Sequence, residues 1–252
     1  MQSTFVESSI RCPENWEKGN WEFVREYWGE RYNYLIYKRI MDIVSSLFVI
    51  IFVYPWLFPI LFVLIRLDSR GPVFFRQQRV GFLGKTFWCY KFRTMHVNNY
   101  ADTRRASSDD PRVTRVGRFL RNTCLDEFPQ FINVLLGHMS IVGPRPHMLH
   151  DSREFASLID NYRFRDMVRP GITGLSQVRG YRGPAANFES ILRRYQWDSF
   201  YVRNTGFLLD LRIMFETGLL IVQSLVHRNS PVPADNLTID GRALAATNKK
   251  IA

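Results

Sequence analysis

Ile43 to Ile65 reads IVSSLFVIIFVYPWLFPILFVLI, 23 consecutive residues without a charge. A helix of that length crosses a hydrocarbon core of ~30 Å, so the chain meets a membrane. About forty mixed-charge residues precede the stretch and no small-residue cleavage site follows it, which excludes a signal peptide. Pro55 and Pro59 interrupt it, and both flanks are basic: Arg31, Lys38 and Arg39 before, Arg66, Arg70, Arg76 and Arg79 after. Positive residues prefer the cytosolic side. Pattern alone leaves two arrangements open. A kinked spanning helix suits the length, whereas a helix broken at Pro55 that enters and leaves through one leaflet suits the flanks.

The 252-residue chain as a whole is 46% hydrophobic and 15% aromatic, enough for one sizeable core with appendages and not a disordered protein. A formal charge of +11 implies an anionic partner: nucleic acid, lipid headgroups or a phosphorylated substrate. Cys12, Cys89 and Cys124 are odd in number and lack metal spacing, which argues for a reducing compartment and against a disulfide framework or zinc site. Cys124 is expected to pack in the core. The histidines form no triad.

Trp16, Trp21, Phe23, Tyr27, Trp28, Tyr32, Tyr34 and Tyr37 lie among balanced charges, suited either to the membrane interface or to an amphipathic helix on the domain. Val73–Val80 and Lys85–Phe92 predict a β-hairpin around Gly81-Phe82-Leu83-Gly84. Gly84-Lys85-Thr86 is not a P-loop, because position 79 is arginine where glycine is needed. Gly171-Ile172-Thr173-Gly174 lacks dinucleotide-fingerprint spacing and is expected to be a turn. Asn98 to Arg121 is expected to be a basic loop, in which Arg115, Arg118 and Arg121 could form a cationic strip. Phe207 to Val226 suits the membrane or the core, and His227 to Ala252 a loosely held tail.

Arg121 to Pro146, RNTCLDEFPQFINVLLGHMSIVGPRP, sets adjacent carboxylates among arginines. Two carboxylates can hold a hard cation such as Mg²⁺, and guanidiniums grip phosphoryl oxygens bidentately. Phe128, Phe131, Ile132 and Leu135 fall at i, i+3, i+4 and i+7 and Gly137 ends the run, placing Asp126 and Glu127 in the first turn of a helix, where amides also attract anions. The structural alternative is dipole compensation, with Thr123 and Asp126 as a capping box. Gly143-Pro144-Arg145-Pro146 is a stiff turn that aims one cation.

Lys38-Arg39, Gly71-Pro72-Val73-Phe74-Phe75-Arg76-Gln77, Lys91-Phe92-Arg93-Thr94-Met95, Leu125-Asp126-Glu127, Gly143-Pro144-Arg145-Pro146 and Pro170-Gly171-Ile172-Thr173-Gly174, in this order, resemble the bacterial sugar transferases, or monotopic phosphoglycosyl transferases. Tyr201-Val202-Arg203-Asn204 and Leu209-Asp210 extend the resemblance, which runs from about Tyr37 to about Gln223. It implies an α+β fold: a mainly helical cytosolic catalytic domain with a β-hairpin, interfacial amphipathic helices and a re-entrant membrane helix broken at Pro55. The expected division is an interfacial segment over 1–36, the re-entrant helix over 37–68, the catalytic domain over 69–226 and a tail over 227–252. Many relatives carry serine before the breaking proline; this chain has Tyr54, so a local hydrogen bond that helps the break is not expected. Longer relatives add four spanning helices and a further domain, and the chain is expected to be the minimal catalytic form.

The resemblance further implies transfer of a sugar 1-phosphate from a UDP-sugar to undecaprenyl phosphate on the inner leaflet of the bacterial cytoplasmic membrane, releasing UMP and priming an exopolysaccharide, capsule or O-antigen. Asp126 takes the family's nucleophile position, Glu127 its metal-binding or activating partner, and Arg121, Arg145 and Arg93 the phosphate-binding positions. Asp126 and Glu127 are also the expected Mg²⁺ ligands. Glucose or galactose is favoured by Arg179 to Gly183 and Tyr195 to Asn204; nucleic acid is not an expected partner, and homo-oligomers are allowed. The competing class is a non-enzymatic membrane-anchored binder of anionic lipid, which the adjacent carboxylates disfavour.

Overall fold

The computed structural model describes residues 26–98, 110–182 and 187–226. Among them the chain is mostly helical with two small two-stranded sheets. Residues 26–30 are helical, and after a turn at Arg31 the chain enters α1 (Tyr32–Phe48). A wider helical turn, Val49–Val53, leads into α2 (Tyr54–Asp68), with the Tyr54 amide reaching back to the Val49 carbonyl. Pro55 supplies the local reason: it has no N–H and its ring crowds the preceding turn, yet it is tolerated at the start of a helical segment.

Tyr32–Asp68 is therefore one helical run of 37 residues, and among the described residues it is the helix long and apolar enough to cross a membrane. Only 11% of its most apolar window is buried. Phe48, Ile51, Phe52, Trp56, Ile60 and Phe62 all stand exposed, an apolar surface that water would not tolerate in a monomer.

Both halves of the run are tied to the rest of the chain. From α1, Arg39 donates to the Val134 and Leu135 carbonyls, and Asp42 accepts from the Ser140 hydroxyl and Ile141 amide. Lys38 Nζ lies 2.7 Å from Asp210 Oδ2, and the Tyr34 and Tyr201 hydroxyls donate to the same carboxylate. From α2, Phe58, Leu61 and Ile65 pack on Val73, Phe92 and Leu120. Tyr54, in place of a local hydrogen bond, donates its hydroxyl to the Phe128 carbonyl at 2.7 Å.

β1 (Phe74–Val80) and β2 (Thr86–Phe92) form the expected antiparallel hairpin, Phe74 opposite Phe92 and Val80 opposite Thr86. The second part of the expected basic loop is instead α3 (Arg115–Asn122), because the Thr114 hydroxyl accepts from the Gly117 amide and caps it. Residues 99–109 of that stretch lie outside the described residues. There follow α4 (Gln130–Leu135), β3 (Ser140–Val142), α5 (Leu149–Leu158), β4 (Gly171–Thr173), α6 (Leu175–Val178), α7 (Phe188–Arg203) and α8 (Phe207–Val226).

The turn expected at Gly171–Gly174 is a strand, β4, parallel to β3 with Ser140 opposite Gly171 and Val142 opposite Thr173. Gly143, Gly171 and Gly174 explain it: a Cβ on any one of them would run into the backbone of another. Only glycine allows the two segments to lie this close.

The core gathers Val134, Met139, Val142, Tyr201, Val202 and Ile213, with Tyr27 and Trp28 among them. Those two aromatics thus pack on the domain, while Tyr37 is exposed. Trp16, Trp21, Phe23 and the tail from His227 lie outside the described residues. α8 places Ile213 and Asp210 in the core, whereas Phe207, Leu208, Leu211, Phe215 and Leu219 are exposed.

Candidate active site

α3 stops at Thr123, whose hydroxyl donates to the Phe119 and Leu120 carbonyls and closes its own helix. It therefore does not cap the next one, and the expected capping box is absent. Cys124 then takes φ 57, a left-handed conformation that a residue with a side chain adopts at a cost and that clusters at functional sites. This reversal swings the chain into a separate single turn, Leu125–Glu127. Pro129 stands between that turn and α4. Asp126 and Glu127 consequently precede the helix rather than opening it, and their charge environment is made by side chains, not by a helix N-terminus.

Asn133 in α4 sets the register. Its amide group accepts from the Tyr90 N–H and donates to the Trp88 carbonyl, which locks α4 beside the end of β2 and brings Lys91 to Glu127. Lys91 Nζ lies 2.6 Å from Glu127 Oε1. Arg145 meets the same carboxylate with both terminal nitrogens, Nη2 to Oε1 at 2.7 Å and Nη1 to Oε2 at 3.3 Å. Burial alone would raise the Glu127 pKa, but the Arg145 guanidinium and Lys91 ammonium outweigh it and hold the carboxyl well below the usual range.

Asp126 has the opposite fate. It is buried, and among the described residues its carboxylate accepts no hydrogen bond. Burial pushes its pKa up to about 6, against the pull of Lys91 and with help from the neighbouring Glu127 charge. Arg145 and Arg121 also act on it electrostatically. Arg121 is aimed by Thr94, whose hydroxyl accepts from its Nε at 2.8 Å. Arg121 thus turns inward, whereas Arg115 and Arg118 on the same helix are exposed.

Arg93 does not join this group. Its guanidinium donates to the Ser69 and Arg70 carbonyls at 2.7 and 2.5 Å, and its charged neighbours are Arg66 and Asp68. It fastens the chain leaving α2 to the end of β2.

Arg145 is held from behind by groups that no sequence pattern singled out. Arg165 Nη2 donates to the Arg145 carbonyl at 2.6 Å and also to Asp198 Oδ2, a buried ion pair at 2.9 Å. Arg79 donates to the Pro146 carbonyl. His147 is buried against the Tyr162 hydroxyl, and burial together with Arg165, Arg194, Arg79 and Arg145 keeps its pKa well below the usual value. It is neutral and structural, not a proton carrier for the carboxylates.

The donor set at the centre is all oxygen: both Asp126 oxygens and the side of Glu127 Oε2 left by a single Arg145 contact. That set suits a hard divalent cation, which takes one or two carboxylates and completes its shell with water and substrate phosphates.

A family model described as bacterial sugar transferase matches residues 33–224. Over 184 residues the chain is 44% identical to a UDP-glucose:undecaprenyl-phosphate glucose-1-phosphate transferase of Klebsiella pneumoniae, covering 73% of this chain and 39% of that protein. It is 44% identical over 190 residues to the exopolysaccharide production protein PSS of Rhizobium leguminosarum bv. phaseoli, covering 73% of this chain and 94% of that protein. An undecaprenyl-phosphate galactose phosphotransferase of Salmonella typhimurium is 36% identical, with 74% and 40% covered. The chain thus spans about two fifths of the Klebsiella and Salmonella proteins.

Proposed function

Because the chain belongs to the bacterial sugar transferase family, we propose that it transfers a hexose 1-phosphate from a UDP-sugar to undecaprenyl phosphate and releases UMP. The observation that carries this reading is the buried Asp126 carboxylate, without a hydrogen bond among the described residues and under the electrostatic influence of Lys91, Arg145 and Arg121. A carboxylate left without hydrogen bonds keeps its lone pairs for attack, and the surrounding cations favour an incoming phosphate.

In the first half-reaction an Asp126 oxygen forms a bond to the sugar-bearing phosphorus as the bond from that phosphorus to the bridging oxygen breaks, and UMP leaves with that oxygen. In the second, an oxygen of undecaprenyl phosphate attacks the same phosphorus, the bond to Asp126 breaks, and the carboxylate is restored. Arg121 and Arg145 neutralise charge on the transferring group, and Glu127 holds Arg145 and Lys91 in place. Asp126 and Glu127 are the residues that would hold Mg²⁺, which when bound neutralises diphosphate charge. Splitting the transfer lets a soluble donor and a membrane lipid use one site in turn.

The acceptor reaches that site from a membrane. Both arms of the Tyr32–Asp68 run engage the same domain, α1 through Lys38, Arg39 and Asp42, α2 through Phe58, Leu61 and Ile65. This supports a helix that dips into one leaflet, turns at the wide segment ahead of Pro55 and returns, with the domain on the cytosolic face of the inner membrane. Glucose or galactose is the expected sugar.

The test is UMP release from UDP-glucose and UDP-galactose with undecaprenyl phosphate, alongside trapping of the intermediate. With the β-phosphate radiolabelled and acceptor omitted, label should attach to the protein, be released by hydroxylamine as an acyl phosphate, and be absent from Asp126→Asn. Chelation should stop turnover and added Mg²⁺ restore it. Steady turnover without attachable label would replace the two-step route with direct transfer, and no UMP from either sugar would leave the lipid-binding class.

A further inference from the structure

Arg182, at the edge of this site, pairs with no carboxylate among the described residues. Arg182 leaves α6 through a glycine cap: Gly180 takes φ 92, its amide donates to the Gln177 carbonyl, and the Tyr181 amide donates to that of Ser176. These paired bonds fix the direction in which the chain departs. At its other end α6 starts from Gly174, whose backbone is pressed on Gly143. Arg182 and Arg145 are therefore carried by one rigid backbone contact.

The Arg182 side chain points back at the acidic turn. Its Nη1 lies 4.0 Å from Cys124 Sγ, and that thiol feels Glu127, Asp126 and Arg145 as well. Arg182 Nε is buried without a hydrogen-bond partner, and among the described residues no carboxylate pairs with this guanidinium. Arg145, Arg165 and Arg179 each have one. A partly buried guanidinium left unpaired carries a desolvation cost that an anion would offset.

We propose that Arg182 is a substrate-binding residue of this same site, gripping a phosphoryl group of a substrate, either the donor's diphosphate or the acceptor's phosphate. The proposal rests on the transferase reading above. A guanidinium offers phosphoryl oxygens two parallel N–H bonds, which lysine replaces only with a point charge.

R182A and R182K in the full chain, assayed with UDP-glucose or UDP-galactose, whichever turns over, and with undecaprenyl phosphate, test this as each substrate is varied in turn. R182A should raise KM for one substrate about 10- to 100-fold and R182K by less, with kcat changed by no more than about threefold. A raised KM for the UDP-sugar assigns the contact to the donor, and one for the lipid phosphate assigns it to the acceptor. Thermal unfolding near the wild-type temperature shows that the fold is kept; if R182A does not fold, R182K carries the test through a KM raised at least about threefold. An active wild type whose variants keep both KM values, or lose kcat alone, overturns the proposal without touching the transferase reading. A wild type inactive on both UDP-sugars overturns both.

Discussion

Asp126→Asn should make the protein inactive and more stable at once. The carboxyl pKa rises from 3.8 to about 6 on folding because burial disfavours the charged form. A shift of about two units is worth about 3 kcal/mol of differential interaction. The sign follows from proton binding: between the two values the folded state holds more protons than the unfolded one, so stability falls as pH rises through that window. Above it the ionised carboxylate costs the fold its full penalty, about 3 kcal/mol at pH 8 and about half of that at pH 5. Asparagine has the same shape and no charge to desolvate, and its amide keeps a smaller burial cost, so these figures are ceilings. At roughly 2–4 °C per kcal/mol for a chain of this size, thermal unfolding should move up by about 5–10 °C at pH 8 and clearly less at pH 5. The comparison belongs in detergent with chelator present, since a bound cation would neutralise the same charge. Equal unfolding temperatures at pH 8, or a gap that does not shrink at pH 5, would refute the burial argument, and UMP release by the folded variant would refute the nucleophile.

Three further outcomes follow from the same geometry. For the wild type, kcat/KM for the UDP-sugar should fall about tenfold per pH unit below about 6 as Asp126 takes its proton; a flat profile from pH 5 to 8 would exclude it as the essential base form. Glu127→Gln leaves Lys91 and Arg145 without their carboxylate, so it should destabilise by about 3–5 kcal/mol and cut turnover well over tenfold, and a stable, active variant in denaturant titration and UMP assays would contradict the pairing. Pro55→Leu restores an N–H in the first turn of α2 and should move part of the population to a spanning topology with lower activity, read by impermeant labelling of single cysteines near residues 1 and 252; unchanged labelling and turnover would remove Pro55 as the turning point.

The hairpin, the apolar run and the clustering of Asp126, Glu127 and Arg145 were legible because each depends on local chemistry: β-branched and aromatic alternation, an uncharged stretch, motif residues close in the chain. What failed was set by contacts distant in sequence. β4 looks like a glycine turn until Gly143 is known to lie against it. Thr123 looks like an N-cap until Cys124 is seen in a left-handed conformation, which no propensity of cysteine foretells. Lys91 lies in β2 and Arg93 just beyond its end, two residues on and equally cationic, yet Arg93 fastens Ser69 and Arg70 while Lys91 meets Glu127. The register that separates them comes from Asn133, 42 residues beyond Lys91.

The buried Lys38–Asp210 pair bears on how this protein can be assembled. The ammonium comes from α1, at the start of the long apolar run, and the carboxylate from the last described helix, with Tyr34 and Tyr201 completing the shell. Neither charge has water to fall back on once the domain closes. Ribosomal synthesis delivers Lys38 long before Asp210, so the apolar arm must wait, unlatched, until almost the whole domain has emerged. The arm is accordingly no interchangeable anchor: grafting another hydrophobic segment in front of residue 69 would strand Asp210 in the interior, and a transplant would need its own cation at the position of Lys38.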